Sequence, residues 1–125
     1  MKSLKLLVAV FVLILSHSLF AEDKSDIEQT ITTYVNSVDT RNADALSKTV
    51  LSNASIITIN EITKNLDNYS TAQFVNLVKG GQKGGWQRNV NIGDVDINGN
   101  TAVAKVDITD SKLKESGFVT LVKDN

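Results

Sequence analysis

Cysteine is absent from the 125 residues, and histidine occurs once, at His17. The first absence rules out disulfides. It suits a domain held by its core in a bacterial periplasm better than a small extracellular scaffold. It also removes any attachment point for a lipoprotein anchor after the N-terminal apolar run. His17 lies in a segment read below as a leader, so the rest of the chain carries neither thiol nor imidazole. Ser-His-Asp and Cys-His nucleophiles go with them, as do most zinc and copper sites. No metal and no cofactor is expected. Long hydrophobic runs are missing too. Leu6 to Leu15 is ten residues long, against the roughly 20 that a membrane-spanning helix needs.

That run has the setting of a secretory signal peptide. Met1 to Lys5 is a short basic start, Ser16 to Ala21 is a small-to-mixed tail, and Glu22-Asp23 follows at once. Cleavage is expected after Ala21, with Ser18 as the alternative. Residues 22–125 then form one domain, located in the periplasm or secreted. Loss of Lys2 and Lys5 leaves 11 basic residues against 14 acidic ones. A net charge near −3 argues against nucleic acid or an anionic membrane surface as partner.

The stretch from Trp86 to Asp110 reads as two long strands joined at Asn98-Gly99. Apolar residues alternate at Val90 and Ile92, then resume one step out of phase at Val95 and Ile97. A one-residue slip beside Gly93 is the sequence form of a β-bulge. The second strand alternates at Ala102, Ala104, Val106 and Ile108. Pairing Ile97 with Asn100 across the turn puts Val95 opposite Ala102 and, beyond the bulge, Ile92 opposite Ala104. Val90 then faces Val106, Arg88 faces Ile108 and Trp86 faces Asp110, all on one side.

Earlier segments supply a cover for that side. Lys24 to Asp39 reads as a helix with an apolar stripe of Ile27, Ile31, Tyr34, Val35 and Val38. Ser25 with Glu28 is a capping-box signal at its start. Asn42 caps a shorter helix from Ala43 to about Val50, with Leu46 and Val50 inward. Ala54 to Ile59 is a β-branched strand, with a short partner expected near Thr63 to Leu66. Ser70 with Gln73 is a second capping box, opening a helix from Ala72 to Lys79. Gly80 to Gly85 follows a helix and opens a strand, the reverse of a phosphate loop, and reads as a mobile connector. Ser111 to Ser116 reads as a loop, Gly117 to Lys123 as a last strand, and Asp124-Asn125 as turn chemistry.

Several of these stretches carry a resemblance. They are Asp26-Ile27 to Tyr34-Val35, Asn42-Ala43-Asp44-Ala45-Leu46, Val95 to Ala104 around Asn98-Gly99-Asn100, and Phe118-Val119-Thr120-Leu121-Val122-Lys123. In this order they resemble the nuclear transport factor 2-like superfamily and, within it, the bacterial "putative lumazine-binding" family. The resemblance implies an α+β fold, a cone in which N-terminal helices pack on a bent antiparallel sheet. It also implies a final Gly-x-Trp-containing strand that this sequence does not show. An open edge and an association-prone product are expected from that difference.

In such a cone the wide end is the ligand entrance. The expected register gathers Trp86, Arg88 and Asp110 there, with Tyr34 pointing in from the first helix. An aromatic plate, a guanidinium, a carboxylate and a phenol suit a small polar ring compound. Each also has a structural role: Trp86 as a core plug, Arg88 with Asp110 as a cross-strand pair, Tyr34 as a stripe residue. Asp39 and Asp44 read as caps and solvated charges. A small organic ligand is therefore the first expectation. The second is a cofactor-independent lyase or isomerase with Asp110 as base and Tyr34 as hydrogen-bond donor. The third is a non-catalytic interaction module. The resemblance implies a homodimer through the outer sheet face. On the central hairpin, however, that face carries Gln87, Asn89, Asn91, Lys105 and Asp107, with Val103 its sizeable apolar member.

Overall fold

The computed structural model describes residues 23–59, 63–112 and 114–123, together with the backbone of residues 4–6 and 12–15. The elements in chain order are β1 (Leu4–Leu6), β2 (Val12–Leu15), α1 (Asp23–Asp39), α2 (Ala43–Thr49), β3 (Ser55–Ile59), β4 (Leu66–Ser70), α3 (Thr71–Lys79), β5 (Asn89–Asn98), β6 (Thr101–Thr109) and β7 (Lys114–Lys123). Asp124-Asn125, read as a turn, lies outside the described residues.

Local chemistry accounts for most boundaries. The Asn42 side chain accepts from the Ala45 amide and starts α2. At α3 the expected capping box is complete. Ser70 Oγ accepts from the Gln73 amide, and Gln73 Oε1 accepts from the Ser70 amide. The box expected at Ser25 is not the start of α1. That helix begins two residues earlier, at Asp23, and Ser25 sits inside its first turn.

The main sheet has β5, β6 and β7 as antiparallel neighbours. A separate hairpin pairs β3 with β4. Its second strand lies at Leu66–Ser70, starting three residues and ending four residues later than the Thr63–Leu66 expected, and runs directly into the cap of α3.

The bulge is where the phase slip put it, between Ile92 and Val95. The register is two residues from the expected one. Asn98 pairs with Thr101, so the turn residues are Gly99 and Asn100 rather than Asn98 and Gly99. Gly99 has φ 60° and takes the first central position, where a type II′ turn calls for glycine. The apolar side survives this shift, because a slip of two preserves which face each residue occupies. Ile92 now faces Val106, and Val90 faces Ile108.

The inner face of the sheet and the helix stripe close one core. Ile27, Ile31, Tyr34, Val35 and Val38 of α1 are buried with Ala102, Ala104, Val106, Ile108, Val119 and Leu121. Leu46, Ile56, Phe74 and Val78 from the smaller elements complete it. Helix α1 is pinned at both ends. Lys123 Nζ lies 2.8 Å from Asp23 Oδ1, and Arg88 Nη2 lies 2.7 Å from Asp39 Oδ1. The first and last residues of one helix are thus tied to the last residue of β7 and to the chain entering β5.

One further expectation is corrected: β7 begins at Lys114, so the loop expected over residues 111–116 ends earlier. In the full-length chain β1 and β2 run parallel along the outer edge of β7, with Leu4 opposite Lys114 and Leu15 opposite Lys123. Both strands belong to the expected leader, so the open edge expected of the chain without residues 1–21 concerns a different species. The outer face carries Phe118 as well as Val103, 51% and 39% exposed.

Candidate functional site

The glycine-rich connector before β5 is tied down rather than left loose. Arg41 sits at φ 54°, just past α1. Its guanidinium donates to the carbonyls of Gly81, Lys83 and Gly84 at 3.2–3.4 Å. Gly84 has φ 92°, and a Cβ there would stand 2.2 Å from the Val38 carbonyl oxygen. The loop can therefore lie flat on the end of α1 only as glycine. This seat fixes where the next residues, Trp86 to Arg88, approach the sheet.

Arg88 reaches the inner face by register. Val90 lies opposite Ile108, and Ile108 lies opposite Glu115. Directly opposed residues share a face, and so do residues two apart on an extended chain. Arg88 and Glu115 consequently point the same way, toward the last turn of α1. Arg88 Nε donates to Asp39 Oδ1 at 2.7 Å, and Nη2 lies at the same ion-pair distance from that oxygen. Nη1 stands 3.7 Å from Glu115 Oε1. The guanidinium sits over the Trp86 ring, with Cζ 4.5 Å from the centroid.

Burial is graded across this group. Tyr34 is 5% exposed at the bottom, and the Arg88 and Asp39 side chains are 9% and 10% exposed. Glu115 is a quarter exposed, and Trp86 forms the lip at 41%. Burial pushes the Tyr34 phenol far above its ordinary range. Arg88 pulls it down, while Glu115 and Asp39 push it further up. The phenol is thus a proton holder at any physiological pH, fit to donate a hydrogen bond and unfit to act as a base.

Three of the four expected residues, Tyr34, Trp86 and Arg88, come together. Asp110 does not. With Asn89 opposite Thr109, Asp110 falls just beyond the ladder, where it is exposed and its Oδ1 accepts from the Lys112 amide at 2.7 Å. The acid–base pair of Asp110 with Tyr34 is not assembled; the charges acting on Tyr34 are Arg88, Glu115 and Asp39. Asp39, read as a cap and solvated charge, is a buried partner of Arg88. Glu115 falls in the stretch that reads as a loop in sequence but lies in β7. The alternation Glu115, Gly117, Val119, Leu121 is the signal that places it on the inner face.

Elsewhere, a shallow depression near the Gly99 turn is lined by Asp23, Ile97, Asn100 and Lys123. Its volume of about 10 Å³ has room for one water. Among the described residues no three His, Cys, Asp or Glu side chains are grouped to hold a metal, and no helix is long and apolar enough to cross a membrane.

Comparison with known proteins gives a family and a fold. The family described as "Putative lumazine-binding" matches residues 22–125. No curated protein matches. Among solved structures, the chain is similar to an NTF2-like protein of unknown function from Shewanella baltica OS155. The identity is 12%, covering 83% of this chain and 96% of that one, with a TM-score of 0.62. It is also similar to an NTF-2 like protein of unknown function from Silicibacter pomeroyi DSS-3. There the identity is 15%, the coverage 84% and 99%, and the TM-score 0.63.

Proposed function

The chain belongs to the "putative lumazine-binding" family with an NTF2-like α+β fold, and on that premise we propose that it binds a small planar organic molecule at the mouth formed by Trp86 and Arg88. The observation that carries this reading is the half-exposed indole backed by a guanidinium that two carboxylates hold in place. An aromatic plate fixed from behind loses little freedom when a ring stacks on it. Such a contact contributes about 0.5–1.5 kcal/mol beyond the area it buries. The polar groups beneath then set the orientation of the ligand. Lumazine is the first compound to try, on the family name. Calorimetric titration is expected to show saturable binding that Trp86→Ala abolishes. Absence of binding, or binding untouched by that substitution, overturns the reading.

We further propose that the domain acts outside the cytoplasm after loss of residues 1–21. The family match begins at Glu22, one residue past the expected cleavage point, and supports this boundary. Intact mass spectrometry of protein recovered from the periplasm is expected to show a chain starting at Glu22. A mass that retains Met1 to Ala21 contradicts it.

A further inference from the structure

Resting on the binding reading above, we infer that the ligand presents an N–H edge, neutral or cationic, to the Glu115 carboxylate, and that the site rejects planar anions. The cluster holds one guanidinium and two carboxylates, an excess of one negative charge. The two carboxylates are not equivalent. Asp39 Oδ1 accepts from Nε at 2.7 Å, has Nη2 at the same distance, and is nearly sealed from solvent. Glu115 stands 3.7 Å from Nη1, beyond hydrogen-bond reach, and keeps a quarter of its side chain exposed. Among the described residues nothing donates a hydrogen bond to it.

Asp39 is therefore the structural partner of Arg88, and Glu115 is the acceptor left over. Both Glu115 and the Trp86 ring neighbour the same guanidinium, Glu115 Oε1 3.7 Å from Nη1 and the ring centroid 4.5 Å from Cζ. A ring stacked on Trp86 that reaches Glu115 with one or two N–H donors completes the charge balance, and charge-assisted bonds of this kind are the stronger class. A carboxylate or an ionised imide would instead meet Glu115 and Asp39 as like charges, with Arg88 already engaged.

Two flat probes of similar size and opposite charge separate the cases: benzamidine and benzoate. Trp86 is the only tryptophan in the chain, so a single indole N–H resonance reports occupancy. Benzamidine is expected to shift that signal saturably, and benzoate to leave it in place. Glu115→Gln, which keeps the side chain's size, is expected to weaken benzamidine at least tenfold while the melting temperature holds. Benzoate binding as tightly as benzamidine overturns the inference. So does benzamidine binding that Glu115→Gln leaves unchanged while lumazine still binds. Failure of lumazine as well as both probes overturns the binding reading itself, and the inference with it.

Discussion

Replacing Arg88 with methionine keeps most of the side chain's length and removes its charge. In the structure that charge faces Asp39 at 2.7 Å, and both side chains are about a tenth exposed. Solvent screening is slight at that burial, so the pair belongs with buried ion pairs. Breaking one from a single side costs about 3–5 kcal/mol, mainly because an uncompensated carboxylate stays inside. Loss of the stack on Trp86 adds about 0.5–1 kcal/mol. For a domain near 100 residues, where 1 kcal/mol moves the midpoint by about 4–8 °C, the melt should fall by at least about 12 °C. The internal comparison is Lys114 with Asp107, 3.6 Å apart with the lysine side chain more than half exposed. Lys114→Met should cost no more than about 1 kcal/mol. Thermal and urea melts followed by circular dichroism measure both. A double-mutant cycle with Asp39→Asn should recover a large part of the Arg88→Met loss, because the stranded charge is gone. Equal, small costs at Arg88 and Lys114, or simple additivity with Asp39→Asn, would refute the reasoning.

Gly84→Ala should destabilise by more than about 2 kcal/mol, since it combines a left-handed φ with a clash against the Val38 carbonyl. Gly81→Ala, at a similar φ but with open space around it, should cost only about 1–2 kcal/mol in urea melts. Equal losses at the two positions would mean that the seat on α1 is unimportant. Tyr34 gives a pH prediction. Its folded pKa is raised, so the folded state keeps a proton that the unfolded chain releases above about pH 10. Its contribution is complete below that pH and is lost above it, at about 1.4 kcal/mol per pH unit. Tyr34→Phe should remove that slope from alkaline urea melts, and an unchanged slope would contradict the assignment.

Much of the fold was legible in the residues because it is local or periodic. The α1 stripe from Ile27 to Val38 repeats at the helical period, and all five members are buried. The capping box at Ser70 and Gln73 formed as its spacing required. The bulge beside Gly93 announced itself as a slip in alternation. The exact register did not, because two adjacent dipeptides, Asn98-Gly99 and Gly99-Asn100, both have turn chemistry. The resulting shift alone keeps Asp110 on the Arg88 side; it leaves the site because β6 ends at Thr109 and Asp110 turns away to accept from the Lys112 amide. Asp39 and Glu115 were harder for another reason. What makes each a site residue is Arg88, 49 positions from Asp39 and 27 from Glu115 in sequence. Nothing in the local pattern at Asp39 distinguishes a solvated helix end from a buried counter-ion. The Arg41 seat for the glycine loop is equally non-local.

The most direct measurement is a titration of the intact protein with lumazine, read by the emission of its single tryptophan and repeated calorimetrically. Saturable change in Trp86 emission, with the same midpoint as the heat, is the predicted result. Heat of binding with Trp86 emission unaltered, or no binding by either readout, would contradict a ligand mouth built on Trp86 and Arg88.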